Sequence, residues 1–370
     1  MKNYLKRIDY KLLIAITILA LFGILMIYSA SSYSANKDYG DAFYYVKKQA
    51  LALILGLITA LLVSKINIEL FKKYRYVVLG VSLVLLALVF IPGLGVESYG
   101  AKRWINLYFT SFQPSEIAKF GMVIFLAYYI SEKDMRRFRN IIPAVLVGLS
   151  FCVLVILEPN MSITICLGLV MLIMLFIGGV KGKHFGIMAA PAALAVPALI
   201  MAEPYRIQRI LAFIDPWASP RGEGYQLIQS YYALGSGGLF GVGLFNSRQK
   251  YLFLPFAESD FIFSVIGEEL GLIGAIFVIA LCAYIIYRGV VIAINSGDRY
   301  KTLLAAGIIA VFAVQTVLNI AVVIGAVPPT GLPMPLVSAG GSSLVSFMAA
   351  FGLLLNISKD RPGTLKASKP

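Results

Sequence analysis

The chain has 370 residues, of which 59% are hydrophobic and 14% charged, with a mean hydropathy of +0.85. A soluble domain carries about 25% charged residues, so this composition excludes a water-soluble globular fold and points to the membrane class. A single histidine, His184, and three cysteines scattered through apolar runs (Cys152, Cys166 and Cys282) leave no basis for a histidine-based metal site, a Ser-His triad or a disulfide framework.

A helix needs about 20 apolar residues to cross roughly 30 Å of hydrocarbon. Such runs occur near 12–30, 46–64, 76–92, 114–131, 141–157, 160–179, 185–201, 261–286, 301–325 and 335–357. The first lacks a clear small-residue cleavage site, so it is expected to remain as a span rather than be removed as a signal peptide. The fifth and sixth are separated only by Glu158-Pro159-Asn160 and should form a tight hairpin. The fold class expected is therefore all-α, a polytopic membrane protein of about ten helices in one membrane unit covering 1–370. With the N-terminus inside, most of the 32 Lys and Arg residues fall on the inner side, including Lys72-Lys73, Arg136-Arg137, Lys181 and Lys183. That asymmetry accounts for the net charge of +14 without nucleic acid and places both termini in the cytoplasm. One loop stands apart, 202–260 on the outer face, rich in proline, glycine and charge, with a short helix expected over Tyr225 to Leu234.

Four constellations carry chemistry. Phe256-Ala257-Glu258-Ser259-Asp260-Phe261 puts a carboxylate at a membrane mouth beside aromatics, where desolvation makes it a candidate base; the plainer alternative is a loop acid capping the next helix. Gln113-Pro114-Ser115-Glu116 opens the fourth span, and Glu116 and Lys119, three apart, share a helix face. Charges within a span face a cavity or each other, so this is either an internal ion pair or part of a site. Just upstream, Lys102-Arg103-Trp104 reads as an interfacial aromatic anchor or an anion site. Glu268 and Glu269 are adjacent, so on a helix they point in different directions and are expected to pack against polar neighbours. The stretch from Pro328 to Ser343 promises irregular backbone at membrane depth, which is tolerated where it lines a cavity. The residues alone leave an enzyme, a transporter and a scaffold open.

These segments resemble the SEDS family (shape, elongation, division and sporulation) over nearly the whole chain. The resemblance rests on Lys102-Arg103-Trp104-Ile105, Gln113-Pro114-Ser115-Glu116, Tyr205 to Arg209, Asp215-Pro216, Gly224-Tyr225-Gln226 through Ile228-Gln229-Ser230, Asp260-Phe261-Ile262-Phe263, Glu268-Glu269-Leu270-Gly271 and Pro335-Leu336-Val337-Ser338. Asp215-Pro216-Trp217 and Ser247 to Lys250 are closer to its division and sporulation branch, that of FtsW and SpoVE. The resemblance implies an inverting peptidoglycan glycosyltransferase of the bacterial cytoplasmic membrane. It would polymerise lipid II on the outer face beside a class B penicillin-binding protein, in contact with membrane lipid; a lipid II flippase is the alternative. It implies Asp260 as the catalytic residue and Arg103, Glu116, Lys119, Arg206, Arg209, Gln229 and Ser338 as candidates for binding substrate. A divalent cation, Mg²⁺ or Mn²⁺, on Asp260 is compatible with that chemistry. Asn160 and Ser162 depart from the family pattern of an acid and a glycine, which puts the role of that turn in question.

Overall fold

The computed structural model describes residues 8–98, 101–106, 111–201 and 203–359. Each of the ten apolar runs overlaps a helix, although the last begins irregularly and turns helical only at Gly341. The first half of the chain gives α1 (Tyr10–Tyr39), α2 (Tyr44–Val63), a short α3 (Ile68–Lys73), α4 (Arg75–Leu88), α5 (Pro114–Glu132) and α6 (Phe138–Leu157). The second half gives α7 (Met161–Ile177), α8 (Gly182–Met201), α9 (Pro204–Ile214), α10 (Tyr225–Gly237), α11 (Ile262–Ile294), α12 (Arg299–Val323) and α13 (Gly341–Ile357). Five of them (α1, α2, α6, α11 and α12) are long and apolar enough by themselves to cross a bilayer, and α4, α7 and α13 are shorter apolar helices.

Local chemistry sets the boundaries. Asp9 caps α1 by accepting from Leu12 N, and Gly40 closes it in the left-handed conformation at φ 67°. Pro114 opens α5, where a missing N–H costs nothing. Asn160 caps α7 by accepting from Ile163 N at 3.3 Å, so the expected α6–α7 hairpin forms with its turn pinned. Asp298 caps α12 in the same way through Lys301 N.

Helices α5 and α12 form the centre. On α5 almost every residue from Pro114 to Ala127 is buried, and α12 packs on α5, α7, α10, α11 and α13. Exposed Leu, Ile, Val and Phe ring the bundle on α1, α2, α4, α6 and α11, as a lipid-facing surface requires. The segments expected on the inner side meet at one end. Asp9 pairs with Arg288 and donates its N–H to Ser358 Oγ, Lys72 pairs with Glu132 at 2.9 Å, Arg299 reaches Gly178 O, and Lys359 reaches Ser64 O.

Two stretches fold into elements that the ten apolar runs did not show. The stretch after α4, read as an interfacial anchor or an anion site, folds as a small antiparallel sheet of β1 (Gly95–Ser98), β2 (Ala101–Asn106) and β3 (Ser111–Phe112), in the order β1-β2-β3 with Val96 opposite Trp104 and Ile105 opposite Phe112. Strands this short carry little periodic signal, and their pairing is non-local. The 202–260 loop is also more structured than expected. It holds the anticipated α10, but also α9 and a 3-10 turn over Pro216–Ala218 that Asp215 caps through Trp217 N. The signal for α9 was present, with Pro204 at its first turn and Ile207, Leu211 and Ile214 at helical spacing.

The glycine clusters of that loop have a structural purpose. Helix α11 breaks at Gly271 (φ 66°, ψ −162°), which strands backbone groups on both sides. Segment 238–243 satisfies them: Val242 N and Gly243 N donate to the carbonyls of Glu268 and Glu269, and Leu272 N and Ile273 N donate to Gly238 O and Leu239 O. Without these partners, each unpaired group at membrane depth would cost several kcal/mol, of order 2–7.

Candidate active site at the mouth of α11

Asp260 sits two residues before α11, at the end of the bundle opposite the basic segments. Its backbone is fixed from two sides. Asn319 on α12 donates from Nδ2 both to Asp260 O at 2.8 Å and to Leu332 O at 2.7 Å. Ser338 donates from Oγ to Ser259 O at 2.6 Å, accepts from Met334 N, and is joined by Ala339 N, which donates to Glu258 O. Gln49 of α2 clamps the same segment, giving Nε2 to Ser338 O and accepting from Gly340 N, both at 3.1 Å. The irregular Pro328–Ser343 stretch thus lines the site as its composition suggested. Gly331, at φ 71°, lets the backbone come against the carboxylate: a Cβ there would lie 3.2 Å from Asp260 Oδ2.

Two guanidinium groups approach from different elements. Arg209 on α9 donates to Pro329 O at 3.2 Å and faces Glu223 at 3.9 Å. Arg103 on β2 donates from Nε to Glu158 O at 3.2 Å and from Nη2 to Pro159 O. Burial pushes the Asp260 carboxyl up to about 6; the Ser259 hydroxyl and the charges of Arg209 and Arg103 pull it down, and Glu258 pushes it up. A carboxyl of that kind is ionised at neutral pH yet has a raised affinity for a proton, which is what a general base requires.

The other candidates divide. Ser338 is in the frame of the site. Arg206 is buried on α9 with its Nε 3.4 Å from the Tyr205 hydroxyl. Gln229 is half-buried on α10, with no hydrogen-bond partner among the described residues. Glu116 and Lys119 form the internal ion pair that the spacing allowed, at 2.8 Å and 1% exposure each. Lys119 also donates to Gln315 Oε1 at 2.8 Å, and Gln315 donates to Pro333 O at 2.9 Å, so the pair reaches the site only through the proline-rich segment. Removing one partner of such a pair strands a buried charge. Lys119→Met is expected to lower stability by about 3–5 kcal/mol, and adding Glu116→Gln to recover part of that loss, as thermal unfolding of the two variants in detergent will measure.

Sequence reasoning missed Gln315, Asn319, Gln49 and Glu158. A signal existed for the first two: polar amides four apart inside an apolar span lie on one helix face and normally face protein. Glu268 and Glu269 do pack against polar neighbours, but both grip one loop. Glu268 accepts from Ser247 Oγ and Arg248 N, and Glu269 from Ser29 Oγ, Phe245 N and Ser247 N, with Lys250 at 3.7 Å. Their different directions on the helix are met because the loop wraps around it.

The donor set does not make a cage for a resident cation. Among the described residues no three His, Cys, Asp or Glu side chains converge, and the charges of Arg209 and Arg103 already bear on Asp260. Mg²⁺ is ordinarily held by one or two carboxylates together with substrate phosphates.

The sequence matches the family described as "Cell cycle protein", that of FtsW, RodA and SpoVE, over residues 10–362. It is 38% identical to stage V sporulation protein E of Bacillus subtilis over 353 residues, covering 94% of this chain and 96% of that protein. It is 41% identical over 356 residues to the probable peptidoglycan glycosyltransferase FtsW of Trichlorobacter lovleyi, covering 95% and 93%. Among solved structures, the fold is similar at a TM-score of 0.81 and 29% identity to a chain from work described as "Structural coordination of polymerization and crosslinking by a peptidoglycan synthase complex", covering 96% of this chain and 99% of that one. The rod shape determining protein RodA of Thermus thermophilus matches at a TM-score of 0.71 and 26% identity, covering 96% and 98%. With the match running almost end to end in both sequence and fold, this chain belongs to the FtsW/RodA/SpoVE family of multi-pass membrane proteins, as the motifs around Asp260 had implied.

Proposed function

We propose that this protein polymerises lipid II on the outer face of the bacterial cytoplasmic membrane, with Asp260 as general base. It is a peptidoglycan glycosyltransferase of the cell-wall and division machinery, in keeping with its relatives. The observation that carries the residue assignment is an acid, raised toward neutrality by burial, under the charges of Arg103 and Arg209 at the mouth of a helical bundle.

The acceptor's C4 hydroxyl attacks C1 of the donor sugar. The new C1–O4 bond forms as the bond from C1 to the lipid diphosphate breaks on the opposite face, so configuration inverts from α to β. Asp260 takes the hydroxyl proton and releases it to water between turnovers. Arg103 and Arg209 receive the departing diphosphate charge, as fixed donors do where charge develops. Ser338, Asn319 and Gly331 position the base; Lys119 and Glu116 act through Gln315 on the Pro333 segment. Arg206 and Gln229 remain candidates for the glycan path.

The basic end of the bundle lies in the cytoplasm with both termini. A cysteine or reporter placed after Pro370 is expected to be shielded from membrane-impermeant reagents in intact cells, and labelling there would reverse the assignment. The partner is a class B penicillin-binding protein; the likeness to a chain from a peptidoglycan synthase complex supports it.

Purified protein given fluorescent lipid II in vesicles tests the reading. Polymer supports it. Monomer moved across the bilayer without polymer would favour a transporter, and neither product a scaffold.

A further inference from the structure

The mechanism leaves one buried titratable group at the site unused. Glu158 is 0% exposed, and neither of its carboxyl oxygens meets a hydrogen-bond partner among the described residues. A buried polar group left unsatisfied keeps its full desolvation cost, so an orphan of this kind asks what completes it. It shares Arg103 with the active site. The guanidinium of Arg103 grips the backbone of its turn at Glu158 O and Pro159 O, and the charge of that guanidinium bears on both Glu158 and Asp260. On the far side of the turn Ser162 donates to Thr330 O, next to Gly331 that lies against Asp260. Burial pushes the Glu158 carboxyl up to about 8, against the pull of Arg103. At neutral pH it holds its proton and has an O–H to give.

Building on the function proposed above, we propose that Glu158 contacts substrate, its neutral carboxyl donating a hydrogen bond to a phosphate oxygen of the lipid diphosphate that Arg103 attracts. A neutral acid adds a donor there without adding charge; the carboxylate would face the diphosphate with like charge. The charged and titratable groups around it are Arg103 from β2, whose charge acts on it directly, and beyond that guanidinium Asp260 together with Arg209 and Tyr205 of α9.

Binding of undecaprenyl diphosphate to the purified full chain, measured from pH 6.5 to 9.5, tests this, with lipid II polymerisation and thermal unfolding in parallel. Affinity of the unaltered protein is expected to fall about tenfold as pH rises through about 8. Glu158→Gln, which keeps an N–H donor and cannot ionise, is expected to bind as well at pH 7 and to lose that fall. Glu158→Ala is expected to weaken binding and raise KM about tenfold, with kcat little changed. Equal pH dependence in the unaltered and Gln forms, or unaltered affinity in a stably folded Ala form, overturns the inference. If Glu158→Ala does not fold, the comparison with Glu158→Gln decides alone. Diphosphate binding with the expected pH pattern but no polymer from any form would sustain the role of Glu158 and overturn the polymerase reading.

Discussion

Asp260→Asn is expected to reduce lipid II polymerisation by about 10²–10⁴-fold, the range that a positioned general base supplies. The substitution keeps the shape of the side chain and leaves untouched the bonds that Asn319 and Ser338 donate to the backbone of this segment. Lipid II binding should therefore persist, with the loss in kcat. The stability sign follows from the direction of the shift. The folded carboxyl titrates at about 6 against an ordinary 3.8, so the folded state holds the proton more tightly. The stability this contributes is complete below about pH 4 and is lost as pH rises through about 6. Asp260→Asn should therefore unfold no earlier than the unaltered protein at pH 7.5, and later if anything. The rate profile should show an acid limb near pH 6. Arg209→Gln moves that limb upward by removing a charge that favours the carboxylate, and Glu258→Gln moves it downward by removing one that opposes it. Full polymerisation by Asp260→Asn at every pH would remove the residue from the mechanism.

A large effect on folding is expected at Gly271. A Cβ there would lie 2.4 Å from Gly241 N and 2.5 Å from Leu239 O, and the residue sits at φ 66°, where L side chains are strained. Both neighbours are backbone atoms of the segment that satisfies the break in α11, so neither yields as a flexible side chain does. Overpacking of about 1–3 kcal/mol and a similar backbone strain combine to a loss of about 2–6 kcal/mol for Gly271→Ala. Gly168→Ala on α7 is the control. Nothing lies within 4 Å of its Cβ position, and it should be neutral or stabilising by up to about 1 kcal/mol. Thermal unfolding in one detergent compares them. A Gly271→Ala protein that unfolds with Gly168→Ala would show that the break is not held by these contacts. The consequence should also be functional, because the 238–250 segment runs directly into the Phe256–Asp260 stretch.

The positions of the ten spans were legible in the sequence because each is fixed locally. The bilayer demands about 20 apolar residues in succession, and caps such as Asp9, Asn160 and Asp298 act within one helical turn. The same holds for the basic ends, since charge is read one residue at a time. Asp260 was legible only in part: its residues allowed either a base or a helix cap, and the family resemblance chose between them. The convergence on Asp260 was decided by the tertiary structure. Arg103 from β2, Arg209 from α9, Asn319 from α12 and Gly331 from the proline-rich segment are far apart in the chain, and no periodicity encodes which of them meet. Whether Glu116 and Lys119 line a cavity or pair with each other, and whether a glycine cluster is a mobile loop or the partner of a broken helix, were likewise settled by packing. A buried polar group takes its behaviour from the atoms that replace water around it, and those come from elsewhere in the fold.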